Sequence, residues 1–276
     1  MITTTTTVTS KDGTTIGCHR LGDGPGLVIV HGMMQAGDSQ LELAQALSGD
    51  FTCHLPARRG RGGSGPHGQD GVLGQELDDL DALLTATRAP YVMGVSAGAI
   101  IALRAARARP GLRKVVVFEP PLDIDGANPT GWLPRFDQEI AAGRVPAALV
   151  TAMLGARLGP PIFNVLPRAF LELLTGRMLK RDPAFGELAP TLRHDVRLVA
   201  ETAGDLEAYR GVEAEVLLLG GSRSPAHLRS PLAALERVLP RARRVELRGL
   251  GHSATCNADR RGRPDRVAEE VRRFLL

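Results

Sequence analysis

The sequence predicts an α/β fold in which a mostly parallel sheet carries helices on both faces. Three observations predict it. Four short runs are apolar throughout, as strands buried on both faces are: Leu27-Val28-Ile29-Val30, Tyr91-Val92-Met93, Val115-Val116-Val117-Phe118 and Val216-Leu217-Leu218-Leu219. Amphipathic stretches alternate with them, at Leu41 to Leu47, Gln75 to Thr87, Ala97 to Ala108, His227 to Leu239 and Pro264 to Leu276. A chain of 276 residues, 43% hydrophobic and 23% charged, can bury one large core with an insertion.

The elements follow in order. Val8 to Ser10, a Lys11-Asp12-Gly13 turn and Thr14 to Leu21 read as an opening β-hairpin. Phe51 to Leu55 and Arg244 to Leu247 read as weaker strands. In the stretch from Gln75, Leu77, Leu80, Leu83 and Leu84 recur at three-to-four spacing, which makes one helical face. The closing stretch opens on Pro264, suited to a first helical turn, and turns Val267, Val271, Phe274 and Leu275 inward. From about Pro121 to Ala200 the alternation stops. Helical patterns broken by prolines fill this region, with no strand, and it reads as a helical cap inserted after the strand that ends near Glu119. The division expected is a core of residues 1–120 and 201–276 and a cap of 121–200. Trp132, Met153, Phe163, Phe170 and Met178 in the cap read either as its own packing or as substrate contacts.

Composition excludes several classes. The net charge is +4, nearly all the cations are arginine (only Lys11, Lys114 and Lys180 are lysine), and the basic residues form no stripe. With seven Phe, two Tyr and one Trp to stack on bases, no nucleic-acid partner is expected. No apolar run is long enough to span a bilayer, and the polar start Met1-Ile2-Thr3 lacks the pattern of a signal peptide, so no membrane partner and a cytoplasmic location are expected. Cys18, Cys53 and Cys256 are odd in number, widely spaced and read as reduced thiols.

Three motifs carry chemistry. Gly94-Val95-Ser96-Ala97-Gly98 lies between an apolar strand and an alanine-rich helix, where a sharp turn holds a serine strained and exposed. The alternative is a capping serine in a glycine turn. His31-Gly32-Met33-Met34-Gln35 follows the first apolar run. Its Met33 N–H, with that of Ala97, suits an oxyanion hole, while His31 and Met34, with Trp132 of the cap, suit substrate contacts. The alternative is an ordinary turn with two core methionines. Gly249-Leu250-Gly251-His252-Ser253 follows the last strand and precedes the closing helix, the place of a general base for the serine.

In the order HGMM, the Arg58–Gly65 loop, GVSAG, the helical region and GLGH, the chain resembles the α/β-hydrolase family over nearly its whole length. The match is nearest in kind to small bacterial lid-bearing esterase-like serine hydrolases. The resemblance implies an eight-stranded sheet with the cap after strand 6, a small-molecule substrate, and no metal or organic cofactor. Lacking the lysine of a P-loop, the Arg58–Gly65 loop is taken as a family turn. The sequence departs from the family where most members carry an acid, after the strand preceding the histidine strand: Gly220-Gly221-Ser222-Arg223-Ser224 holds none. Glu119 is the substitute expected, with Asp123 and Asp125 as alternatives. Catalytic Ser96, His252 and Glu119 imply hydrolysis of an ester, thioester or lactone through an acyl-enzyme. The alternatives are a cyclase, lyase or acyltransferase on the same fold, and a receptor-like binding protein. The sequence leaves the oligomeric state open.

Overall fold

A computed structural model describes residues 3–69 and 71–276, which leaves Met1, Ile2 and Asp70 outside the described residues. Eight strands form one sheet: β1 Thr4–Thr9, β2 Thr15–Leu21, β3 Gly26–Val30, β4 Thr52–Pro56, β5 Tyr91–Val95, β6 Lys114–Phe118, β7 Glu215–Gly221 and β8 Ala242–Leu247. Their order is β1-β2-β4-β3-β5-β6-β7-β8. β2 pairs antiparallel with β1 and β4, and the remaining neighbours are parallel. The helices are α1 Leu41–Leu47, α2 Val72–Thr87, α3 Ala97–Ala108, α4 Leu133–Ala141, α5 Val145–Gly155, α6 Arg168–Arg181, α7 Pro183–Glu187, α8 Leu192–Glu201, α9 Ala226–Val238 and α10 Pro264–Leu275.

Strand alternation divides the apolar runs between two cores. On β6, Val115 and Val117 join Ile100, Leu103 and Leu83 of α3 and α2 on one face. Val116 and Phe118 join Leu43 and Leu47 of α1 and Val267 and Val271 of α10 on the other. Residues with no polar side chain on either face have no solvent side to offer, so a continuous apolar run becomes a central strand. Parallel pairing from β3 to β8 then brings the ends Val30, Val95, Phe118, Gly221 and Leu247 to one edge of the sheet.

Among the described residues, none between Phe118 and Glu215 is a strand; the stretch carries α4 to α8. A small cluster of Phe136, Ala148, Ala152, Leu192 and Val196 is its apolar centre. The seam at residue 200 is not clean, because Leu198 and Val199 of α8 pack into the main core with α2 and α3. No helix of the described residues is long and apolar enough to cross a membrane.

The arginine loop ahead of α2 has a job that its family-turn reading did not foresee. Arg58 donates to Glu76 of α2 (2.6 Å) and to Asp195 of α8 (2.6 Å), and Arg61 donates to Asp195 (2.5 Å). Arg59 pairs with Asp79 of α2 (2.7 Å) and Asp12 of the β1–β2 turn (2.6 Å). One buried carboxylate, Asp195, therefore holds two buried guanidiniums and ties α8 to the loop after β4. Charges so far from water are tolerable because they are paired and hydrogen-bonded, Arg61 also donating from Nε to Thr191 (3.1 Å) while its Nη1 stays unpartnered among the described residues.

Beside this cluster His67 and His194 stack, ring centroids 3.8 Å apart and planes 12° from parallel. Burial, followed by the charges of Arg58 and Arg61, lowers His67 to about 4. Burial, followed by His67, Arg197 and Arg193, lowers His194 to about 4. Folded, both stay neutral where a free histidine, near 6.5, would already be charging. The unfolded chain thus binds more protons than the folded one between those values, so their contribution to stability is intact above about 6.5 and is lost as pH falls toward 4. The melting temperature of the wild type should fall over that range more steeply than that of a His67→Gln/His194→Gln variant. Equal slopes in thermal unfolding followed by circular dichroism would show that the pair is not the sensitive element.

Candidate functional site

The site forms where the ends of β3, β5, β6 and β8 converge. Ser96 sits between β5 and α3 at φ 52° and ψ −119°, a sparsely populated positive-φ backbone that costs a non-glycine residue about 1–3 kcal/mol. Its N–H donates to the Phe118 carbonyl of β6 (2.8 Å), which pins the elbow to the neighbouring strand end. Glycines make the turn sterically possible. A Cβ on Gly94 would stand 2.3 Å from the Gly98 carbonyl oxygen, and one on Gly98 would stand 2.2 Å from that of Val30. A Cβ on Gly32 would stand 2.8 Å from the Ser96 Cβ, so the loop after β3 lies directly against the serine.

That loop is held by Gln35. Its Oε1 accepts from the Gly32 N–H (2.7 Å) and from Gln40 Nε2 (3.0 Å), while its Nε2 donates to Cys256 Sγ (3.3 Å). Met34 adopts φ 53°. Among the described residues, the N–H groups of Met33 and Ala97 donate to no protein acceptor. Met33 touches both the main core and the cap cluster, and Met34 packs against the cap cluster.

The carboxylate and the histidine come together. Glu119, fully buried at φ 47°, places Oε2 2.6 Å from His252 Nδ1 and accepts the Gly221 N–H on Oε1 (2.6 Å). Gly220 of β7 leaves it room: a Cβ there would lie 3.3 Å from Glu119 Oε1. The Phe118 ring lies alongside the His252 imidazole, centroids 6.1 Å apart. His252 opens a short 3-10 helix, His252–Thr255, whose neighbour Cys256 receives the Gln35 bond. Asp123 accepts the Asn128 N–H (3.0 Å), so it serves a turn in the insertion. Ser96 Oγ and His252 Nε2 are not hydrogen-bonded to each other, so the imidazole is bridged on its carboxylate side only.

The structure corrects the expected role of His31. Its Nδ1 bonds with the Gly32 carbonyl (3.0 Å), its Nε2 accepts the Arg58 N–H (3.1 Å), and the ring is buried. Both ring nitrogens are used by backbone, so His31 braces two loops and has none left for a substrate. Burial, followed by the charges of Arg61 and Arg58, lowers its pKa far below the usual histidine value and keeps it a neutral brace. Trp132 packs within the insertion, edge-on to Phe136 at 5.8 Å, with Nε1 donating to the Pro129 carbonyl (2.8 Å). Sequence reading missed Phe118, Gln35, Gly221 and His227. Only Gln35 carried a local signal, as the fifth residue of the His31 motif. His227 of α9 lies near His252, and its pKa is lowered by burial first and by His252 next. Among the described residues no group of three or more His, Cys, Asp or Glu is arranged to hold a metal.

Residues 27–270 match the sequence profile of the alpha/beta hydrolase family. The chain is similar to the solved structure of an alpha/beta hydrolase from Sphaerobacter thermophilus DSM 20745, with 29% identity and a TM-score of 0.82 over 98% of this chain and 100% of that one. It shares its fold with a thermophilic esterase from Thermogutta terrifontis (19% identity, TM-score 0.73, 99% and 98% covered). It does so equally with an epoxide hydrolase from Vigna radiata (16% identity, TM-score 0.66, 99% and 97% covered). No curated protein sequence matches the chain.

The elbow's dependence on glycine can be measured. Gly98→Ala should destabilise the fold by roughly 1–3 kcal/mol, because the added methyl forces α3 away from the end of β3. Unchanged denaturant midpoints would show that the elbow has slack that the close approach denies.

Proposed function

Because the chain belongs to the alpha/beta hydrolase family, we propose that it is a serine hydrolase that cleaves an ester, thioester or lactone of a small molecule through an acyl-enzyme on Ser96. The observation that carries this reading is the strained elbow. It presents a hydroxyl with no hydrogen bond to the protein, at the same edge of the sheet as a histidine that a buried carboxylate holds by Nδ1. A carboxylate on Nδ1 fixes the tautomer whose free Nε2 accepts a proton.

In the proposed reaction Ser96 Oγ attacks the substrate carbonyl carbon as His252 Nε2 takes the hydroxyl proton. The carbonyl oxygen becomes an oxyanion facing the free N–H groups of Met33 and Ala97, at the N-terminus of α3, where the helix dipole adds positive potential. Collapse breaks the bond to the leaving oxygen or sulfur, which receives the proton from His252. Water, activated by the same imidazole, then releases the acid and restores Ser96. Glu119 stays ionised and stabilises the imidazolium formed in each half. Residues 121–200 act as the cap over this edge, where Met33, Met34 and the cap cluster meet and give the acyl group an apolar wall.

Ser96→Ala should lower turnover of a p-nitrophenyl ester by about 10⁴-fold or more and abolish labelling by a fluorophosphonate probe. Retained turnover in that variant would remove the nucleophile assignment.

Glu119→Gln keeps the shape of the acid but not its charge, and should lower kcat by roughly 10²–10⁴-fold with labelling of Ser96 slowed in parallel. A silent substitution would leave a Ser–His pair at work and make Glu119 a structural group.

A further inference from the structure

Seven of the eight large apolar side chains that stand exposed among the described residues fall between residues 158 and 178, the eighth being Leu276 at the end of the chain. Val165, 74% exposed, leads into α6, which displays Phe170, Leu173, Leu174 and Met178 to solvent while Leu171 turns inward. At 3.6 residues per turn these four share one arc of about 160° with Arg177, Lys180 and Arg181, all exposed. A contiguous apolar face of this kind marks a surface that meets something.

The charges say what. Arg177, Lys180 and Arg181, with Arg157 ahead of the helix, enter no ion pair among the described residues. The acid within α6 and the one at its C-terminal end are occupied: Glu172 by Arg168 (2.7 Å) and Asp182 by Arg260 (2.6 Å). The strip therefore offers apolar contact and unneutralised positive charge together. A second copy of this chain would set that charge against its own image, with no free acid on the strip to answer it. An anionic lipid surface answers both features. Phe170, Leu173, Leu174 and Met178 would enter the acyl boundary, while the long cationic side chains reach up to phosphate.

We propose that this face of α6 is a docking surface for anionic phospholipid, lying in the plane of the bilayer interface with no span across it. The proposal needs no catalysis by Ser96, so its test reads binding alone.

The full chain is sedimented with vesicles of phosphatidylcholine and with vesicles rich in phosphatidylglycerol. The wild type should bind the second kind and not the first, and should be released by added salt. An Arg177→Gln/Lys180→Gln/Arg181→Gln variant should bind about a hundredfold more weakly, at roughly fivefold per cation. A Leu173→Glu/Leu174→Glu variant should not bind. Both variants replace exposed side chains, so their melting temperatures and their turnover of a soluble short-chain ester should match the wild type. If the wild type ignores phosphatidylglycerol vesicles, or if the variants bind as well as it does, the proposal is overturned. A lipid-free dimer in sedimentation velocity that Leu173→Glu/Leu174→Glu dissolves would overturn it in favour of self-association. Loss of ester turnover in Ser96→Ala, or its absence in the wild type, bears on the hydrolase reading and leaves the vesicle result intact.

Discussion

The site depends on one close approach of three backbones. The end of β3 with its following loop, the turn at Ser96 and the first turn of α3 meet at distances that no Cβ would permit at Gly32, Gly94 or Gly98. The approach forces Ser96 into a positive-φ backbone, and the parallel sheet holds that strain through the Phe118 carbonyl. Strain of this kind persists only where surrounding structure over-determines it. Here the determinants are strands buried on both faces, which cannot slide one residue without turning their apolar side chains to the wrong core.

A second consequence of the sheet concerns the acid. Moving a carboxylate from the end of β7 to the end of β6 changes the direction from which it reaches the histidine. Glu119 reaches His252 by standing at φ 47° and sending its side chain across β7. The path is open beside Gly220, where a Cβ would crowd Glu119 Oε1, and the Gly221 N–H neutralises part of the carboxylate's burial cost. Gly220 and Gly221 are thus the partner of Glu119, the other half of one arrangement.

That pairing shows where the sequence was legible and where it was not. The strands, the three motif loops and the strandless insertion could be read locally, because each is a pattern of periodicity or turn chemistry within about ten residues. Glu119 could be named from its place after a strand, but its contact with Gly221 joins residues 102 apart in sequence. The same limit hid the arginine loop. Arg58 and Arg61 meet Asp195 across separations of 137 and 134, and nothing local distinguishes a buried arginine from an exposed one. His31 was misplaced for a related reason. A histidine at the head of a glycine-rich motif loop looks available until the fold supplies the Arg58 N–H that occupies its second nitrogen. On α6, Phe170 and Met178 read from the sequence as packing or substrate contacts, but both stand exposed; leucines elsewhere around the helix, Leu171 among them, blur the amphipathic pattern on which such readings rest.

The insertion consequently has two attachments of different physical character. Its apolar centre is small, and the step from α8 to the main sheet is fixed by Asp195, which both Arg58 and Arg61 hold. Buried ion pairs add little net stability over apolar packing, yet they tolerate few alternative geometries, since a slipped register strands a charge. An insertion fastened in this way keeps α8 in one position against the core. Helix α6, which carries the exposed apolar strip, takes no part in that ion-pair cluster. Arg58 joins the two ends of this logic. Its guanidinium holds α8 through Asp195 while its backbone N–H holds His31, the residue that begins the loop lying against Ser96. The position of α8 and that of the loop beside Ser96 are therefore both braced by one residue.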